Sequence, residues 1–168
     1  KCQENCKKCI NFADNCLECN ENYLPLKDNE KTCIDKGLRK YYDNAAKQGY
    51  FTSSDNSKYL KCDKSCRYCT GNKAGECEEN SCNEDYLLSE DNSKLCINKG
   101  SEKYYDDTAK QGYFFTSSDN PKFLKCDKSC HYCTSSEFGK CEENSCNEDY
   151  LPLEDNSKLC INKGLGKY

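Results

Sequence analysis

Apolar residues in this chain come in short bursts between polar, turn-forming stretches. Across residues 83–97, Tyr86 and Leu87 stand on one side of Glu90, Asp91, Asn92 and Ser93, and Leu95 and Ile97 on the other. Short apolar arms around a cluster of turn formers predict a β-hairpin. A second hairpin is predicted where Tyr50, Phe51 and Thr52 are followed, across the turn-rich residues 53–57, by Tyr59 and Leu60. Its later counterpart has Pro121 in the loop, which a loop tolerates. Just before the second hairpin, Tyr41 to Lys47 reads as one or two helical turns ended by Gly49. Residues 2–19 and their copies are too short and polar for a helix or a long strand.

These elements repeat. Cys62, Cys66, Cys69, Cys77, Cys82 and Cys96 recur at constant offset as Cys126, Cys130, Cys133, Cys141, Cys146 and Cys160. With slightly shorter spacings they also occur upstream as Cys2, Cys6, Cys9, Cys16, Cys19 and Cys33, which accounts for all 18 cysteines. The chain reads as one module written three times, with repeats at 1–61, 62–125 and 126–168, the last truncated in its linker. Lys163 to Tyr168 matches Lys36 to Tyr41, and Lys1-Cys2 matches Lys61-Cys62. Both ends thus fall inside the repeat. The expectation is a window of a longer array, with a mature, processed end as the alternative.

Composition sharpens this. Eighteen cysteines in 168 residues exceed the roughly 8–10% that marks a disulfide scaffold. Cysteine inflates the 35% hydrophobic share, and there is no Met or Trp. Modules so small and so poor in aliphatic residues need disulfides or a metal to hold a fold. Disulfides persist in oxidising compartments, so the chain is expected to be extracellular or at the cell surface. The net charge of −4 is well mixed, without the basic stripe that nucleic acid would require. No run of about 18 apolar residues is present to span a membrane. A signal peptide or lipid anchor would lie outside this stretch.

Cys6-x2-Cys9 followed by Cys16-x2-Cys19 could be read as four zinc ligands. Against this, the second pair widens to Cys77-x4-Cys82 and Cys141-x4-Cys146, the gap between pairs is tight, and two cysteines per unit are left over. Disulfides are therefore expected, with no metal and no cofactor. Six cysteines allow fifteen pairings, and spacing does not choose among them.

The frame C-x3-C-x2-C-x6-C-x2-C-x13-C, with Tyr-Leu between the last two cysteines, resembles the furin-like repeat of the growth-factor-receptor cysteine-rich class. The following Lys-Gln-Gly-Tyr-Phe and closing Leu-Lys-Cys fit the second hairpin of such repeats. The resemblance implies pairing of first with third, second with fourth, and fifth with sixth cysteine. Carried over, that is Cys2–Cys9, Cys6–Cys16 and Cys19–Cys33 in the first unit. It is Cys62–Cys69, Cys66–Cys77 and Cys82–Cys96 in the second, and Cys126–Cys133, Cys130–Cys141 and Cys146–Cys160 in the third. The chain departs from the family in one respect: residues 34–60 and 97–124 contain no cysteine, so the second hairpin lacks its usual bridge.

Aromatics concentrate in that bridge-free segment: Tyr41, Tyr42, Tyr50, Phe51 and Tyr59, then Tyr104, Tyr105, Tyr113, Phe114, Phe115 and Phe123. Large rings can replace a missing disulfide by burial. They are candidates for packing between modules or, facing outward, for assembly. His131, the one histidine, aligns with Lys7 and Arg67, an interchange that suits a solvated position. Glu78-Glu79 and Glu142-Glu143 read as a solvated acidic face. Asp28-Asn29, Asp91-Asn92 and Asp155-Asn156 read as turns, without EF-hand spacing. Thr52, Ser53, Ser54, Thr116, Ser117 and Ser118 are candidate O-glycan acceptors, as is the run Thr134, Ser135, Ser136. Standard Asn-x-Ser/Thr acceptors are absent.

The expected fold class is small and disulfide-rich, mainly short β-hairpins and loops, in a tandem array forming an elongated rod. No catalytic constellation stands out, so an enzyme is not expected. The expected function is a structural or surface-coat protein that self-associates with further copies, head to tail, into a filament. Near-exact tandem copies with a Lys/Asn/Asp/Tyr bias resemble the cysteine-rich surface proteins of ciliates, the immobilisation-antigen type, which are commonly lipid-anchored. The competing expectation is a receptor or ligand ectodomain, with the variable patch Thr70–Glu76 against Thr134–Lys140 as its contact surface.

Overall fold

The computed structural model describes residues 1–117 and 119–165, Leu165 in its backbone alone. Among them regular structure is almost all strand, interrupted by two short 3-10 turns, Lys36–Leu38 and Lys163–Leu165. Nine disulfides staple it, at Cys2–Cys9, Cys6–Cys16, Cys19–Cys33, Cys62–Cys69, Cys66–Cys77, Cys82–Cys96, Cys126–Cys133, Cys130–Cys141 and Cys146–Cys160. No cysteine is free among the described residues. The protein is a small disulfide-rich β fold.

The chain divides into two compact units, one of Lys1–Glu84 with Lys94–Cys96, the other of Asp85–Ser93 with the chain from Ile97 onward. In the first unit, β1 (Cys6–Cys9) pairs antiparallel with β2 (Cys16–Cys19). β3 (Tyr23–Leu26), β4 (Asn29–Asp35), β5 (Lys40–Asp43), β6 (Gln48–Thr52) and β7 (Tyr59–Lys61) form one sheet in the order β4-β3-β7-β6-β5. Every pairing is antiparallel except β3 with β7, a parallel contact of Leu26 with Tyr59. Leu24, Leu26, Tyr50 and Tyr59 form the buried core of this sheet, with Ile34 and Tyr41 packed on it. A separate core is sulfur: Cys6, Cys16 and Cys33 are buried together, with Cys2, Cys9, Cys19 and Tyr23 around them.

In the second unit, β10 (Lys103–Asp106), β11 (Gln111–Thr116) and β12 (Lys122–Lys125) form an antiparallel sheet. β8 (Tyr86–Leu88) pairs with β9 (Cys96–Asn98), which lies in this unit from Ile97 on, and β13 (Tyr150–Leu153) with β14 (Asn156–Asn162). A parallel bridge joins Ser89 to Phe123. Cys126, Cys130, Cys133, Cys141 and Cys160 make the sulfur core, with Phe114, Cys146 and Tyr150 packed against it. Cysteine here supplies the burial that leucine supplies elsewhere, as expected of modules with so few aliphatic residues.

One expected element is overturned. Tyr41 to Lys47 is not helical; it is the end of β5 and a tight turn into β6. The Asp43 carboxylate accepts the backbone N–H of Ala45 at 2.9 Å and of Ala46 at 3.0 Å. Lys47 then takes a left-handed conformation with φ 49°, which reverses the chain. Asp106 accepts from Thr108 and Ala109, and Lys110 takes φ 52°, in the copy. Paired tyrosines favour a pleated surface, and an aspartate that caps a turn competes with helix. Two turns of helix could not outweigh those preferences in isolation.

Candidate functional site

Among the described residues, aromatic contacts gather on the bridge-free hairpins, and their registers make each a two-faced element. Tyr41 opposes Tyr50, and Thr52 opposes Tyr59, so these side chains share one face. Tyr42 opposes Gly49 and Lys40 opposes Phe51 on the other. The copy repeats this, with Tyr104, Tyr113, Phe115 and Phe123 on one face and Lys103, Tyr105, Gly112 and Phe114 on the other.

The first face looks back. Tyr59, with 0% of its surface exposed, sits on Leu24 and Leu26, and its hydroxyl donates to the Asp35 carbonyl at 2.6 Å. The Tyr59 carbonyl accepts the Lys27 N–H at 2.9 Å. Two residues on, the Lys61 ammonium lies 3.5 Å from Asp28. Phe123 is also 0% exposed, its carbonyl accepts the Glu90 N–H at 3.1 Å, and Lys125 lies 3.2 Å from Asp91. Burial raises the phenol pKa of Tyr41, Tyr50, Tyr59 and Tyr113, the last to about 12. Asp91 is pushed up by burial, but hydrogen bonds from Ser89 and Lys125 outweigh that and hold its pKa below the ordinary aspartate value.

The second face looks forward onto the next set of cysteine loops. Tyr42 donates to Asn83 Oδ1 at 2.8 Å, and Asn83 Nδ2 donates to the carbonyls of Lys64 and Lys47 at 2.7 and 3.2 Å. The Arg67 guanidinium lies over the Tyr42 ring at 5.0 Å, and Tyr68 meets that ring edge-on at 6.2 Å. Lys40 lies over the Tyr68 ring at 5.2 Å while pairing with Glu78 at 2.6 Å. Gly49 is backed so closely against this surface that a Cβ would fall 2.1 Å from the Arg67 carbonyl oxygen. Gln48, buried beside it, donates to the Cys62 carbonyl at 3.0 Å.

The second unit builds the same junction with one substitution. Tyr105 donates to Asn147 at 3.0 Å, Lys103 pairs with Glu142 at 2.6 Å, and Lys103 lies over Tyr132 at 4.9 Å. His131 stands where Arg67 stood and stacks on Tyr105, centroids 3.6 Å apart. His131 is thus a half-buried junction residue. Glu78 and Glu142 are junction partners of lysine, while the neighbouring Glu79 and Glu143 are exposed. Sequence reasoning missed Asn83, Asn147, Gln48 and Gln111. Their signal was identity between copies, at positions inside or beside predicted hairpins where nothing local marks the side chain as a partner.

None of the eleven aromatic candidates is exposed: Tyr50, Tyr59, Tyr113 and Phe123 are buried, and Tyr41, Tyr42, Phe51, Tyr104, Tyr105, Phe114 and Phe115 are half-buried. Ser53 is buried, its hydroxyl donating to Asp55 at 2.6 Å, whereas Ser54 and Ser117 are exposed and Thr52 and Thr116 half-buried. Ser118 lies outside the described residues. The sulfurs of Cys16, Cys19 and Cys33 lie within 4.8 Å of one another. All three belong to bridges and offer no thiolate to a metal. No described helix is long and apolar enough to cross a membrane.

Chemically, the arrangement holds side chains together. It aligns rings, cations and carboxylates so that each hairpin grips the hairpin before it and the loops after it. No family model, no curated protein and no solved structure matches this chain.

Proposed function

We propose that this is a non-enzymatic extracellular structural or surface-coat protein, a disulfide-stapled array of furin-like modules that self-associates head to tail. The observation that carries the reading is the junction written twice, once around Tyr42 and once around Tyr105. A chain that repeats its intermodule contacts nearly residue for residue is built for regular extension. Nine bridges are typical of secreted or cell-surface proteins. The ciliate surface-coat resemblance fits a regular cysteine-rich layer, and a rod is the shape such stacking produces. Electron microscopy of native, non-reduced material tests it. Long uniform fibres or a layer with an axial repeat support the reading, and reduction should dissolve them; isolated short particles sink the assembly claim.

A binding ectodomain is the second reading, favoured by Phe138, which is 64% exposed in the variable patch where the preceding copy has Ala74. Swapping residues 70–76 with 134–140 and measuring binding to cell-surface proteins tests it. Unchanged binding removes the patch as a contact.

A further inference from the structure

Leu24 and Leu26 are 9% and 4% exposed, because Tyr59 and Tyr50 cover them. Their counterparts Leu151 and Leu153 are 55% and 38% exposed, in the same Tyr-Leu-Pro-Leu strand with the same bulge at its end. The surroundings of the covered face are present as well. Lys27 and Glu90 each give a backbone N–H to the carbonyl of a buried aromatic, and Glu154 occupies the equivalent place. Asp28 and Asp91 each face a lysine two residues beyond that aromatic, and Asp155, exposed, is their equivalent. The connector is repeated too. Gly164 donates to Asn162 Oδ1 at 2.8 Å in the 3-10 turn after β14, as Gly37 donates to Asp35 in the turn that leads into β5.

We propose that the face of β13 and β14 is a docking site for an aromatic–Leu–Lys hairpin of a further module of this sequence type. The hairpin adds its last strand parallel to β13. Its aromatic ring covers Leu151 and Leu153, its carbonyl accepts the Glu154 N–H, and its lysine pairs with Asp155. The flanking Leu-Pro-Leu matches the first module and not the second, where Ser89 replaces the second leucine. The ring is therefore of the Tyr59 kind, with a hydroxyl to donate to the Asn162 carbonyl as Tyr59 donates to Asp35. Charge and register both favour this occupant, and the backbone and ion-pair contacts it makes occur twice elsewhere in the chain, while the tyrosine-on-leucine packing has its precedent in the first module. The inference deepens the array reading and rests on it.

The test extends the full chain after Tyr168 with the sequence of residues 42–61, then measures backbone amide exchange and methyl–aromatic NOEs. The Glu154 amide should become at least ~10-fold more protected, as local opening is suppressed. The appended tyrosine should show NOEs to Leu151 and Leu153. Leu153→Asp in the extended chain should abolish both, while the Lys27 amide keeps its protection. An unchanged Glu154 rate overturns the proposal, as does protection that survives Leu153→Asp. An appended segment that stays unstructured overturns it as well, since docking is what orders that hairpin. Fibres in native material would leave the array reading standing even then, with modules joined through another surface.

Discussion

Tyr42 and Asn83 are hydrogen-bonded at 2.8 Å across 41 positions of sequence, and Tyr105 and Asn147 repeat the contact at 3.0 Å across 42. Each asparagine also spends its amide N–H groups on backbone carbonyls, so the phenol is part of a filled set of bonds. Removing the hydroxyl strands a buried acceptor, which costs about 1–3 kcal/mol. Tyr42→Phe should therefore destabilise the first junction by that amount, read as a lower urea midpoint. Tyr105→Phe should match it within error.

Gly49→Ala and Gly112→Ala should be worse. A methyl at either position would press on a carbonyl oxygen at 2.1 or 2.0 Å and on the sulfur of Cys62 or Cys126. The obstacle is backbone, which cannot rotate away, and overpacking of this kind costs about 1–3 kcal/mol or more. Gly75, with open space around its Cβ position but φ 81°, is the control for backbone strain alone. Limited proteolysis should cut the Gly49 and Gly112 variants near the junction.

Cys82 and Cys96 are joined across a separation of 14 residues, at the base of the β8–β9 hairpin. A loop of about 15 residues gives roughly 3 kcal/mol in the chain-entropy model. Replacing both with serine should release the hairpin and lower stability by about 2–5 kcal/mol. Loss of exchange protection at Ile97 would report it.

Acid should loosen the Ser53–Asp55–Ser57 turn. Hydrogen bonds from Ser53, then Ser57, hold the Asp55 pKa down at about 2. The folded value lies below the unfolded one, so this stabilisation is full above about pH 4 and is lost as pH falls towards 2. Asp55→Asn should flatten that part of the acid limb, monitored by amide exchange at Ser57 and Lys58. Glu18, hydrogen-bonded by Lys7 and Lys8 and also held at about 2, adds a parallel acid-sensitive step.

At high pH the order reverses. Burial lifts Tyr113 to about 12, above the value of a free tyrosine. Folding is then favoured below about pH 10 and loses that contribution as pH rises towards 12. Absorbance titration should show a late-ionising tyrosine that disappears in Tyr113→Phe.

Much of this architecture is legible from the chain alone. The three-fold cysteine frame, the hairpins around Glu90–Ser93 and Ser53–Ser57, and the small disulfide-rich β class all follow from local residue chemistry. Spacing did not choose among pairings; that came from the furin-like resemblance, because any two sulfurs within a short loop can meet. Tertiary structure alone decided what the linker does. Tyr41 and Tyr42 look alike in sequence, yet one turns back onto Tyr50 and the other forward onto Asn83, because neighbours along a strand point to opposite faces. Strand pairing made Tyr41–Asp43 the end of β5, and the turn capped by Asp43 took the residues up to Lys47, where the local pattern suggested helix. His131 looked solvated beside Lys7 and Arg67, since a ring stacked on Tyr105 can replace a guanidinium over Tyr42 only once a distant hairpin has brought that tyrosine there.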